Sequence, residues 1–194
     1  HLPRAETSRN WRNRTPDNFT FAIKASRFIT HIKKLRGIDE PLRKLFDVIL
    51  PLEDKLGPVL FQLPPGMNRD ITLLEDFIGR MPGDLQFVFE FRNNTWYNDE
   101  LFRLLQNKGC SFCIHDLPNN VSPVEVTGKF AYIRFHGAKQ AYSSFYSSEE
   151  LEIWAGRIKS YLETGKNVFV YFNNDIHGYA MDNARMLRSM VEEL

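Results

Sequence analysis

The chain alternates short apolar runs with segments of helical spacing, and this alternation is the feature that most constrains its fold. Six runs of four or five residues are rich in aromatic and β-branched side chains, a composition typical of buried strands. They are Phe19–Ile23, Val59–Gln62, Phe87–Phe91, Ser111–Ile114, Ala131–Phe135 and Val168–Phe172. The intervening segments repeat apolar residues every three or four positions, which predicts helices. Strands that alternate with helices predict an α/β protein with a mainly parallel sheet.

The composition is that of a globular domain. The 194 residues are 43% hydrophobic and 25% charged, which excludes a disordered or collagen-like chain. No apolar run reaches the roughly 18 residues of a membrane-spanning helix, and no signal-peptide pattern is present. With only two cysteines, these features predict a cytoplasmic protein that does not bind membranes. No linker or low-complexity stretch interrupts residues 1–194, so we expect one domain.

Polar residues at the strand ends distinguish between the two common α/β architectures. A dinucleotide-binding sheet would carry a glycine-rich phosphate turn, and neither GxGxxG nor a Walker A motif occurs. Instead, nearly every predicted strand ends in polar or charged residues. These are Lys24, Gln62, Glu90 with Arg92, His115 with Asp116, Arg134 with His136, and Asn173 with Asn174. Strand ends that converge on a polar pocket are typical of a (β/α) barrel, so the sequence predicts a TIM-barrel-like fold.

Side-chain alternation along the strands predicts which of these residues face a pocket. The inward set is Lys24, Gln62, Glu90, Arg92, Arg134, His136, Tyr171 and Asn173, whereas the inward residue of the His115 strand stays undecided. Burying ionisable groups costs several kcal/mol each unless they are paired. Three fixed cations against one clear carboxylate predict an anionic ligand, a phosphate or a carboxylate. The alternative is an interior salt network around Glu90 that only fixes the register.

Residue types suggest roles within this pocket. Glu90 and His136 are candidates for general acid/base catalysis, and Lys24 for an electrophilic cation or a Schiff-base amine. The candidate ligand-binding residues are Arg92, Arg134, Asn173, Asn174, Tyr171, Gln62, His31 and Trp96. Trp96 could stack on a ligand or pack against a helix, and both interpretations stay open. The residues identify no cofactor, and whether the protein is an enzyme is not decided by them.

Two further motifs predict little chemistry. His31, Glu90, His115, Asp116 and His136 could supply metal ligands, but no HxH, HExxH or paired-carboxylate spacing is present, so no metal site is predicted. Cys110 and Cys113 match CxxC. Residues three apart on a strand face opposite sides, so we expect two unpaired thiols.

Charge is distributed unevenly along the chain. Residues 1–36 contain nine Lys or Arg against two acidic residues, whereas the remainder contains 16 against 22. A basic segment of charge +7 could be a solvated face paired with the rest of the domain. Alternatively it could form a phosphate track with Lys33, Lys34 and Arg36 at its rim, which would make this a nucleic-acid-binding protein. A non-catalytic ligand-binding or scaffold protein is the second alternative.

Several sequence blocks resemble one family in the same order along the chain. They are Phe19–Ser26, Thr30-His31, Gly57–Pro65, Phe89–Trp96, Arg134–Gly137, Tyr171–Gly178 and Asn183-Ala184. Together they resemble the YecE-like family, domain of unknown function 72, whose members are similar to TIM barrels. The resemblance implies two further strands upstream, so that six strands here would be the last six of a closed eight-stranded barrel. It implies no established reaction.

Overall fold

The computed structural model describes residues 2–194, and these form two compact units. One unit extends to Leu104 and the other begins at Leu105. We call them the N-terminal unit and the C-terminal unit.

The N-terminal unit contains a three-stranded parallel sheet. Its strands are β1 (Phe21–Lys24), β2 (Leu56–Gln62) and β3 (Phe87–Glu90), in that spatial order. Its helices are α1 (Ala5–Arg14), α2 (Asp39–Ile49) and α3 (Ile71–Gly79), and α4 (Asp99–Asn107) crosses the division between the units. A helix between successive strands returns the chain to the same end of the sheet, which parallel pairing requires.

The apolar stripes of the sequence account for the packing of this unit. The residues of α2 that recur at helical spacing, among them Leu42 and Phe46, are buried. Phe77 of α3 contacts Phe61 of β2 and Phe89 of β3, with ring centroids 5.1 and 6.1 Å apart. This side of the sheet is therefore the helix-covered side.

The C-terminal unit repeats the arrangement. Its strands are β4 (Ser111–Asp116), β5 (Phe130–Phe135) and β6 (Asn167–Phe172), all parallel and in that order. Its helices are α5 (Ser148–Glu163) and α6 (Tyr179–Glu193). A capping box between Ser147 and Glu150 begins α5 by satisfying backbone donors that the first turn leaves open.

The aromatic side chains of the C-terminal unit separate the two faces of its sheet. Phe135 contacts Trp154 of α5 and Phe172 of β6, so it lies on the helix-covered face. Tyr132 and Tyr171 stack on each other on the opposite face, with centroids 5.0 Å apart. This is the alternation that the sequence predicts for β5 and β6.

The structure confirms the α/β class, and the strand pairings within each unit are parallel. The first strand begins at Phe21 rather than Phe19. Within residues 2–194, no helix combines the length and apolar character that crossing a membrane would need.

Candidate functional site

The strand ends contain most of the buried charged groups. Six Asp, Glu, His, Lys or Arg side chains are buried among residues 2–194, and five of them lie in the last two positions of a strand or within two residues after it. These five are Glu90, Arg92, His115, Arg134 and His136. The sixth, Lys55, donates to the carbonyl oxygens of Arg12 and Thr15 at 2.8 Å. Lys55 therefore closes the end of α1.

In the N-terminal unit, the strand ends carry two polar contacts on neighbouring strands. The Lys24 Nζ donates to the Gln62 Oε1 at 2.6 Å. Gln62 lies in register with Glu90 on the neighbouring strand. The Glu90 carboxylate pairs with the guanidinium of Arg92, and both side chains are buried. The interior ion pair that the sequence analysis considers as an alternative is thus present.

His31 lies close to Lys24 of this cluster, in a turn of π-helix at Phe28–Ile32. Its Nδ1 is 2.8 Å from the Thr30 hydroxyl oxygen. Burial lowers the pKa of His31, and the positive charges of Arg27 and Lys24 lower it further. His31 therefore loses its proton more readily than an ordinary histidine.

An open cavity of about 660 Å³ adjoins Lys24 and Ser26. Phe28, Ile29 and Pro41 supply apolar wall. Of the residues predicted from sequence for the N-terminal unit, only Lys24 lines this cavity.

Trp96 lies in the core of the N-terminal unit. Its ring is 0% exposed, and its indole Nε1 donates to the Met67 carbonyl oxygen at 2.8 Å. The ring also contacts Phe91, with centroids 4.8 Å apart. This is the environment of a packed core ring with a satisfied polar atom.

In the C-terminal unit, the register aligns three polar side chains on the face opposite the helices. His115 is paired with Arg134, and Arg134 with Tyr171. The Arg134 Nη2 donates to the Asn173 Oδ1 at 2.9 Å. His136 follows two residues after Arg134 and shares its parity. The five strand-end residues on this face, His115, Arg134, His136, Tyr171 and Asn173, include one fixed cation and no carboxylate.

The structure shows which of His115 and Asp116 in β4 lies on the polar face, a question that the sequence leaves open. His115 is paired with Arg134, whereas Asp116 is paired with Phe135 on the helix-covered face. The ring Nε2 of His115 is 3.0 Å from the Asn120 Oδ1. His115 therefore joins the polar face, and Asp116 does not.

Asp116 instead interacts with Tyr146 and supports the turn after His136. Burial raises the pKa of Asp116, a hydrogen bond with Tyr146 lowers it in part, and the charge of Glu150 raises it. The Tyr146 hydroxyl oxygen accepts from the backbone N–H of Gly137 at 2.9 Å. Gly137 has φ of 108°, and a Cβ there would stand 2.3 Å from the Gln140 carbonyl oxygen, so only glycine fits this turn.

Buried amides hold the loop of residues 137–147 from the other side. The Asn183 Oδ1 accepts from the Tyr146 N–H at 3.1 Å and from the Asn174 Nδ2 at 2.9 Å. The Asn183 Nδ2 donates to the Tyr146 carbonyl oxygen at 2.9 Å, and the Asn174 Nδ2 donates to the Ser144 carbonyl oxygen at 3.0 Å. Asn174, predicted as a ligand-binding residue, therefore anchors this loop.

The sequence does not predict that Asn183 and Tyr146 hold this loop. Asn183 was read only as part of a family block. The available signal was its position on the apolar stripe of α6, beside Ala184 and Leu187, where a polar side chain needs a buried partner. Tyr146 had no comparable signal, since a tyrosine after a strand is equally compatible with loop packing.

The remaining motifs behave as structural features. Among residues 2–194, no three His, Cys, Asp or Glu side chains group closely enough to hold a metal ion. Cys110 and Cys113 are both buried and form no disulfide, which confirms that CxxC is not a disulfide here. Burial raises the pKa of the Cys110 thiol to about 11, so this thiol stays protonated and unreactive near neutral pH.

Parallel strands joined by helices, with polar side chains at their carboxyl ends, define an α/β protein. The chain belongs to the family described as "Protein of unknown function DUF72", which it matches over residues 1–194. The resemblance to the YecE-like family is thereby confirmed.

Named relatives agree with this assignment. The chain is 24% identical over 222 residues to the UPF0759 protein YunF of Bacillus subtilis, covering 97% of this chain and 78% of that one. It is 29% identical over 97 residues to the UPF0759 protein YecE of Escherichia coli K12, covering 50% of this chain and 36% of YecE. Neither name states an activity.

Two crystal structures of DUF72 proteins share the fold. The Thermotoga maritima protein TM1631 superposes with a TM-score of 0.88 at 27% identity, covering 99% of this chain and 81% of TM1631. The Enterococcus faecalis protein EF0366 also gives a TM-score of 0.88 at 22% identity, covering 98% of this chain and 81% of EF0366. Both matches extend over nearly all of this chain.

Proposed function

We propose that the protein binds a small ligand bearing a phosphate or a carboxylate at the carboxyl ends of its strands, in a TIM-barrel-like fold. The observation that carries this proposal is the burial of five charged or titratable groups at strand ends against a single one elsewhere in residues 2–194. Burying charges is unfavourable for stability compared with apolar packing. Clusters of buried ionisable groups therefore concentrate at functional sites.

Arg134 is the residue we propose for contact with the anion. Its guanidinium is nearly buried and is oriented by the Asn173 Oδ1. A guanidinium in fixed orientation matches two oxygens of a phosphate or carboxylate better than an ammonium does. The neighbouring Tyr171 and Asn173 are only half-buried, so a ligand can reach this part of the strand ends.

The three candidate catalytic residues differ in their surroundings. Glu90 is paired with Arg92, so its charge already has a structural use. Lys24 is exposed and bonded to Gln62, and an exposed lysine is not desolvated as a Schiff-base amine requires. His136 is buried next to the proposed anion site, so we propose it as the acid/base group if the bound ligand reacts.

Binding of inorganic phosphate tests the proposal directly. We expect phosphate to raise the midpoint of thermal unfolding relative to chloride at equal ionic strength, because a ligand that binds only the folded state stabilises it. Arg134→Gln is expected to abolish the increase, and Asn173→Ala, a milder change, to reduce it. The exposed Arg103 provides the matched control, since Arg103→Gln removes the same charge outside the site.

Two results would contradict the proposal. One is an unfolding midpoint of the unchanged protein that does not respond to phosphate or to a small carboxylate such as citrate. The other is a phosphate response that survives both Arg134→Gln and Asn173→Ala. If Arg134→Gln fails to fold, Asn173→Ala alone decides the outcome.

A further inference from the structure

Aromatic side chains surround the strand ends of the C-terminal unit on the loops that follow β5 and β6. Tyr142 and Phe145 lie on the first loop and are 48% and 39% exposed. His177 and Tyr179 follow β6, and their rings contact each other at 5.4 Å between centroids. Tyr179 also contacts Phe145 at 5.4 Å. Large exposed rings on two adjoining loops form a surface on which a planar group can stack.

Two residues of this surface have uncommon backbone dihedral angles. Tyr142 and His177 have φ values of 65° and 68°, in the left-handed region that residues other than glycine seldom adopt. The two loops are joined, because the Ile176 N–H donates to the Tyr142 carbonyl oxygen at 3.4 Å. Backbone strain persists only where surrounding contacts impose it. The buried amides of Asn174 and Asn183 supply such contacts.

The aromatic surface adjoins the proposed anion site through His136. Tyr142 contacts the ring of His136 edge to face, with centroids 5.5 Å apart. His136 follows Arg134 by two residues on the same side of the strand, about 7 Å farther along the chain. The bond to Asn173, which follows the last residue of β6, draws the Arg134 guanidinium toward this end. An anion at Arg134 and a ring stacked on Tyr142 would thus be neighbours, with His136 next to both.

Resting on the proposed function, we propose that the ligand is a nucleoside monophosphate whose phosphate contacts Arg134 and whose base stacks on Tyr142. A planar base suits this rim, because the large apolar side chains exposed there include the rings of Tyr142 and Phe145 and the aliphatic Ile176. The Ser144 hydroxyl between the two rings is bonded to the backbone of Lys139 and Gln140 and so stays fixed in the loop. The half-buried amide of Asn173 can meet the polar edge of the ribose or phosphate.

Calorimetric titration with three probes tests this proposal. The probes are adenosine 5′-monophosphate, ribose 5-phosphate and inorganic phosphate. We expect the adenosine monophosphate to bind about tenfold more tightly than ribose 5-phosphate, which corresponds to about 1.4 kcal/mol. Tyr142→Asn removes the ring and keeps a residue that tolerates positive φ. It is expected to erase this tenfold preference without changing the affinity for ribose 5-phosphate.

The matched control is Phe19→Asn, because Phe19 is 44% exposed and lies in the other unit. It should leave all three affinities unchanged. Equal affinity for adenosine monophosphate and ribose 5-phosphate would overturn the nucleotide proposal while leaving anion binding intact. A preference that persists in Tyr142→Asn would also overturn it. Failure of all three probes to bind would instead contradict the proposed function itself.

A final comparison distinguishes a free nucleotide from the 5′ end of a nucleic-acid strand as the ligand. A 5′-phosphorylated deoxyadenosine trinucleotide presents the same phosphate and base at the end of a strand. Affinity equal to that of the mononucleotide indicates a free nucleotide as ligand. Tighter binding of the trinucleotide, lost on adding salt, indicates a strand end, because additional backbone phosphates then contribute.

Discussion

A half-buried carboxylate supports the turn that carries the candidate acid/base group. Asp116 lies on the helix-covered face of its sheet and forms a hydrogen bond with Tyr146, whose hydroxyl oxygen accepts from Gly137 directly after His136. Burial of both groups also raises the pKa of Tyr146, so its phenol stays protonated and can donate to Asp116. The position of His136 thus depends on a tyrosine and a carboxylate that do not themselves face the proposed ligand.

This arrangement predicts a pH-dependent effect of Asp116→Asn. The pKa of Asp116 is raised in the folded state above its ordinary value of 3.8, so the folded protein holds this proton more tightly than the unfolded chain. Its favourable contribution is present below the ordinary value and is lost as the pH rises through the raised pKa. The amide of Asn accepts the same hydrogen bond and carries no charge. We therefore expect Asp116→Asn to gain stability relative to the unchanged protein between about pH 4 and pH 7.

Urea unfolding at several pH values in this range measures the difference. Asp17→Asn removes an exposed charge and controls for the change in net charge. A difference between Asp116→Asn and the unchanged protein that shrinks as the pH rises would contradict the prediction.

At the scale of elements, one helix and one loop depend on each other. The loop of residues 137–147 joins β5 to α5, yet its end is held by Asn183 of α6, through both the N–H and the carbonyl of Tyr146. Asn183 is 0% exposed. Backbone groups buried in this way cost free energy if their partner is removed, since water cannot replace it.

Asn183→Ala tests this coupling. The substitution leaves two backbone groups of Tyr146 and the Asn174 amide short of a partner, so we expect a loss of about 2–4 kcal/mol in the free energy of unfolding. Proteolysis within residues 137–147 should accelerate as well, because the loop loses its anchor. Chemical denaturation and limited proteolysis measure both effects.

Asn10→Ala is the matched control, because Asn10 is an exposed asparagine within α1. It should be neutral or slightly stabilising, since alanine has the higher helix propensity. A stability of Asn183→Ala within about 0.5 kcal/mol of the unchanged protein would show that the amide network is not needed to hold the loop.

At the scale of the whole molecule, ion pairs engage part of the basic amino-terminal segment. Arg12 contacts Glu53 and Asp54 at 3.1 and 2.9 Å, and Arg36 contacts Asp70 at 2.9 Å. The exposed basic residues outside these ion pairs include Arg4, Arg9, Arg14, Arg27, Lys33 and Lys34. Part of the charge that could follow a nucleic-acid backbone is therefore engaged with acidic residues of the same unit, which favours a solvated and paired face over a continuous phosphate track.

The salt dependence of oligonucleotide binding distinguishes a solvated and paired face from a continuous phosphate track. For single strands, the slope of log K against log salt is about −0.7 per phosphate contact. A solvated and paired face that does not bind the strand predicts a slope near zero, whereas a continuous phosphate track using the full charge of +7 predicts about −5. Fluorescence anisotropy with an unphosphorylated twelve-base oligonucleotide, across a salt series, measures the slope. A slope near −5 would support the nucleic-acid alternative, and a triple Arg4, Arg9 and Arg14→Gln variant should then make the slope less negative by about 2.

Local sequence patterns predict the strands and helices of this protein and several of its strand-end residues. Periodicity alone predicts six strands and their helices, because a strand buried on one side and a helix with one apolar stripe impose different spacings on the same residue types. The strand-end residues Lys24, Glu90, Arg134 and His136 are also predicted from sequence, since alternation within a strand is a short-range property. The parity of β4 is not, because Phe112 and Ile114 alternate with Ser111 and Cys113 without one clear apolar side.

Tertiary structure alone decides which of these residues act together and which serve the fold. The sequence makes Asn174 a candidate ligand contact and leaves Trp96 open between stacking on a ligand and packing. In the structure Asn174 anchors a loop to Asn183, and Trp96 packs in a core beside Met67. Their partners lie 9 and 29 positions away. Hydrogen bonds and burial depend on such distant neighbours, which no local pattern encodes. The spacing of apolar residues, by contrast, is a local property, because it repeats within a single turn of a helix or within two residues of a strand.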